Sequence, residues 1–61
     1  MNVLAACIDQ AVRVRGTRRK ARIVDLDYCL DRIKIKYRGE APAWHPAEDI
    51  VMIETKDAKG G

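Results

Sequence analysis

Two groups of cations in this sequence are spaced for contact with a polyanion. Arg13, Arg15, Arg18, Arg19, Lys20 and Arg22 crowd one short segment, and Lys34, Lys36 and Arg38 recur at every second residue further on. Clustered Lys and Arg suit an acidic partner, because each phosphate they neutralise releases condensed counterions. The chemistry implied is backbone contact with nucleic acid, or contact with an acidic protein surface. Base-specific readout is not indicated, since no recognition helix can be written and one Trp and two Tyr are too few for a stacking platform. The bland alternative is a solvated surface whose cations pair with nearby acids.

Other chemistry has little to work with. Cys29 and His45 are the one nucleophile and base pair available, and Asp27 and Asp31 on either side of Cys29 disfavour a thiolate there. His45 is the single histidine and has no second His or suitably spaced Cys, so a surface or interface histidine is expected rather than a metal ligand. Asp25, Asp27, Asp31, Glu48 and Asp49 read as turn caps or ion-pair partners rather than as acid and base. The expectation is a non-enzyme with no metal and no cofactor.

Strand structure must position the cations. Residues 32–38 alternate strictly, with Ile33, Ile35 and Tyr37 on one side and Arg32, Lys34, Lys36 and Arg38 on the other, which is the period of a half-buried strand. With 61 residues there is one domain and a small core. No Phe is present, so β-branched residues must carry that core, and self-association would assist it. Cys7 and Cys29 sit in apolar company without a C-x-x-C motif and are expected as buried, reduced thiols. The apolar run 3–8 is too short for a membrane span and lacks the basic lead of a signal peptide, so a cytoplasmic protein is expected.

Along the chain, residues 1–10 read equally as a strand or a helical turn. Residues 11–15 alternate as a strand, with Val12 and Val14 inward, and Gly16 opens a turn leading to an exposed basic tip at 17–20. The next strand, 21–27, changes phase partway; a bulge near Val24 and Asp25 accounts for this, covering of both faces being the alternative. Asp27 and Asp31 flank a tight turn. After the long strand, Gly39 can supply a positive φ. A brief strand at 43–45 leads into a 3₁₀ turn at 46–49, opened by Pro46 and followed by acids. Residues 50–54 form the closing strand, with Ile50 and either Val51 or Ile53 inward. Residues 55–61 read as a flexible tail after a single domain at 1–54.

The stretches 21–27, 33–39 and Trp44-His45-Pro46-Ala47-Glu48-Asp49-Ile50 resemble the SH3-like small barrels, especially Tudor and chromo-barrel domains, over residues 11–54. The resemblance implies an all-β, five-stranded barrel closed by a 3₁₀ turn before the last strand. It also implies a place for an aromatic cage able to hold a methylated Lys or Arg, for which Tyr28, Trp44 and Glu40 are the candidates. Two walls make a poor cage, and Trp44 is expected instead to plug the barrel mouth. The layout is also similar to that of the plasmid-type dihydrofolate reductases, whose pore site carries Gln, Ile and Tyr directly before the 3₁₀ proline. Ala43, Trp44 and His45 stand there in this chain, so that activity is not expected. The reading is therefore a small module that contacts nucleic-acid backbone. The second reading is a docking module or small regulator on a larger protein complex, using Val24, Leu26, Leu30 and Met52; small phage and mobile-element products offer an analogy from size alone.

Overall fold

The computed structural model describes residues 3–53, and its architecture is all-β. Five antiparallel strands, β1 (Ala11–Val14), β2 (Ala21–Asp27), β3 (Arg32–Lys36), β4 (Ala43–Pro46) and β5 (Ile50–Met52), lie in the order β4-β3-β2-β1-β5. A 3₁₀ turn at Ala47–Asp49 precedes β5, as its proline and acids lead one to expect, and a second lies at Val3–Ala5, so the described part of the N-terminal stretch holds a helical turn and no strand. The expected tail at 55–61 and the last residue of the closing strand lie outside the described residues.

The alternation of β3 carries through to the packing. Ile33 and Ile35 are fully buried, and Tyr37 packs partly against the same cluster. Their partners across the ladder, Leu26 and Ile23 on β2, share that face. Val12, Ala21, Ala47, Ile50, Val3 and Ala6 complete a core made almost wholly of branched and small side chains. The phase change in β2 is a bulge: pairing slips between Ile23 and Asp25, leaving Val24 as the extra, outward residue. Ile23 and Leu26 can therefore both face inward although they are three residues apart. Gly16 and Gly39 end β1 and β3 at φ +88° and +80°, left-handed values that an L side chain resists.

The barrel expected from sequence is not closed by hydrogen bonds. Among the described residues β4 and β5 form the two edges, with no ladder between them. The Ala47–Asp49 turn spans that seam instead. Ala47 is buried there and its N–H donates to the Asp31 carbonyl at 3.0 Å, while the Arg15 N–H donates to the Asp49 carbonyl at 2.6 Å. A sheet without a covering layer buries isoleucines fully only by bending over its own apolar face.

Two sequence expectations are corrected. Cys7 and Cys29 are exposed free thiols, not buried ones, because both fall in turns outside the inward register. On β5 the register sets Met52 opposite Val12 and Val51 opposite Arg13, yet Met52 is exposed while Val51 and Ile53 are half-buried beside the buried Ile50. Trp44 is no plug. It lies opposite Lys34 on the outer face and keeps 36% of its surface exposed.

Candidate nucleic-acid interface

The outer face of the sheet follows from the same register. Lys36 on β3 stands directly opposite Arg22 on β2, and Lys34 directly opposite Trp44 on β4. Lys20, Arg22, Lys36 and Arg38 together line an open groove of about 720 Å³, floored by Ala21, Val24 and Tyr37 and bordered by Asp9. Asp9 is brought there by backbone pairing: its N–H donates to the Ile23 carbonyl at 2.7 Å. Its carboxylate reaches Arg22 only at 4.0 Å, between two well-exposed side chains. Among the described residues Lys20, Lys36 and Arg38 make no ion pair, so the groove carries a net excess of positive charge.

The remaining cations are drawn elsewhere, and the stripe anticipated from sequence is interrupted. Arg19 is held by Glu40 at 2.7 Å and lies 4.0 Å over the Tyr37 ring. The hydrogen bond to Glu40 raises the Arg19 pKa above its ordinary value. Arg15 donates to the Glu48 carbonyl at 2.7 Å, stitching β1 to the seam. Arg13 donates to the Thr17 carbonyl at 3.3 Å and, with Arg18, borders a separate open depression beside Met52 and Ile53.

The other end of the outer face is acidic as well as basic. Asp25 stands opposite Lys34, and Asp27 opposite Arg32, which it pairs with at 3.1 Å. Asp27 also caps the β2–β3 turn, accepting the N–H groups of Cys29 and Leu30 at 3.0 and 3.1 Å. The bond from Leu30 and then that from Arg32 lower the Asp27 pKa below its usual value. Because folding lowers this pKa, the stabilisation is fully present above the unfolded carboxylate value of about 3.9 and is lost as pH falls through the lower folded one. Thermal melts of wild type and Asp27→Asn are therefore expected to differ most at neutral pH, and the gap is expected to start closing below about pH 4.

The three cage candidates do not converge. Tyr28 projects from the β2–β3 turn, Glu40 follows β3 at its opposite end and is committed to Arg19, and Trp44 lies between them on β4. What Trp44 does meet, sequence reasoning missed: Arg32 and Lys34 sit 5.1 and 5.5 Å from its ring centroid, within cation–π range. The register Lys34↔Trp44 was the signal, and it depends on the length of the β3–β4 link. His45 faces the other way, opposite Ile33, and Cys29 occupies the exposed turn. No helix among the described residues is long and apolar enough to cross a membrane. No protein-family model, curated protein or solved structure matches this chain.

Proposed function

We propose that this chain is a small SH3-like binding module, not an enzyme, that grips nucleic-acid backbone with the groove of Lys20, Arg22, Lys36 and Arg38. One observation carries the reading. Arg22 and Lys36 are placed directly opposite each other across β2 and β3, and like charges so placed disfavour the sheet. A polyanion converts that cost into binding. Lys20 and Arg38 extend the same positive surface along the groove, and the strand order with its 3₁₀ crossing supports the SH3-like assignment. The exposed thiols of Cys7 and Cys29 suit a reducing compartment such as the cytoplasm.

Backbone contact predicts steep salt dependence. With four phosphates engaged, affinity for a dye-labelled oligonucleotide is expected to fall about 50- to 150-fold between about 50 and 200 mM salt. Anisotropy titrations check this, and undetectable binding at the lower salt refutes it. The second reading, docking on a protein, draws support from Tyr28 and Leu30, 60% and 63% exposed on one turn. Binding of that kind would tolerate salt and be lost in Leu30→Asp.

A further inference from the structure

We propose that Trp44, flanked by Arg32 and Lys34, is a base-stacking position that makes the basic groove selective for single-stranded nucleic acid. The inference rests on the backbone reading above and adds a ligand class to it.

The placement argues for it in three steps. First, Trp44 is on the outer face and reaches the groove through one residue, Lys34, which is its cross-strand partner and the next outward side chain after Lys36. Lys36 is then a diagonal neighbour of Trp44, about 7–8 Å away, a distance on the order of one nucleotide step. Second, the acids set the path. Asp25 and Asp27 occupy the β2 half of the face beyond the bulge, so a phosphate chain leaving Arg22 and Lys36 is steered away from β2 and along β3 toward β4. Third, Trp44 keeps 36% of its surface exposed. β4 is an edge strand, so among the described residues no strand covers the indole from beyond the edge. The two cations over the ring, Arg32 and Lys34 of β3, are long side chains that an incoming base can displace toward its phosphate.

The other aromatic rings are worse placed. Tyr37 is half-buried against the core, and the Arg19 over its ring is tied to Glu40 and so is less free to move aside; Tyr28 follows Asp27 at the acidic end. A planar, uncharged base stacks on an indole whatever its identity, and a cation beside the pair can hold the adjacent phosphate. A duplex keeps its bases stacked internally and cannot offer one, so the position discriminates by strandedness rather than by sequence.

Trp44 is the single tryptophan of the chain, which gives the test a direct signal. Wild-type protein is titrated at about 50 mM salt with a short oligothymidylate, an abasic oligomer of equal length, a duplex, and heparin. The expected result is quenching of tryptophan emission by the oligothymidylate alone, with affinity for it falling about 5- to 100-fold in Trp44→Leu and largely retained in Trp44→Phe. Binding of the abasic oligomer and of heparin should be unchanged by either substitution. If oligothymidylate and abasic oligomer bind alike without quenching, the stacking position is refuted while the groove stands. If none of the four ligands binds, the groove reading falls and this one with it. The quenching comparison needs no variant, so a substitution that impairs folding leaves the test intact.

Discussion

Ile33→Ala is expected to remove roughly half of the folding stability of this chain. A domain with 61 residues has a total stability of about 3–9 kcal/mol at ordinary per-residue values. Truncating a buried isoleucine costs about 2–5 kcal/mol, the upper part of that range applying where the surroundings cannot collapse into the space. Ile33 is fully buried on β3, with Leu26 opposite on one side and His45 on the other. Ladder hydrogen bonds hold both neighbours at their spacing, so the cavity stays open. Ile33→Val removes one methylene and should cost only about 0.5–1.5 kcal/mol. Val24→Ala, at the exposed bulge, should fall within about 0.5 kcal/mol of wild type. Urea denaturation followed by circular dichroism checks the series. Near-equal midpoints for Ile33→Ala and Val24→Ala would mean that the alternating strand is not the wall of the core.

That wall was legible because it is written locally. The two-residue period of 33–37 fixes which side chains are interior without reference to any other strand. The bulge was legible for the same reason: Ile23 and Leu26 cannot both face inward on an unbroken strand, and the mismatch points to Val24 and Asp25. Pro46 with the acids after it marked the 3₁₀ turn before β5. These are relations within a few residues, and propensity and sterics decide them.

What escaped the sequence depends on registers between distant segments. Glu40 takes Arg19 out of the basic set across 21 residues, and the Glu48 carbonyl takes Arg15 across 33. Neither pairing has a local signature. How far Met52 and Val51 are covered is set by how β5 lies along β1, a register that no local pattern announces. Trp44 looked like a plug because large aromatics usually repay burial, but its partner Lys34 puts it outside. The cysteines misled in a similar way, since apolar neighbours in sequence do not bury a residue that lies in a turn.

The groove itself is tested most severely by reversing its central pair. The double variant Arg22→Glu, Lys36→Glu is expected to lose nearly all oligonucleotide binding at about 0.1 M salt. Two phosphate contacts vanish, which alone lowers the salt slope by about two, and two carboxylates then repel the backbone from the middle of the site. The fold should tolerate the change. Both side chains are exposed, one like-charged cross-strand pair replaces another, and the long Arg22–Asp9 contact is solvated. Net charge falls by the same amount in Arg13→Glu, Arg18→Glu, whose side chains border the separate depression. That control should keep most of the affinity, because attraction to phosphate is screened within about 10 Å at moderate salt. Equal losses in both double variants would show that the chain binds polyanions through overall charge alone, and the groove would then have no special part in binding. A selective loss in the first would tie binding to the register that sets Arg22 against Lys36.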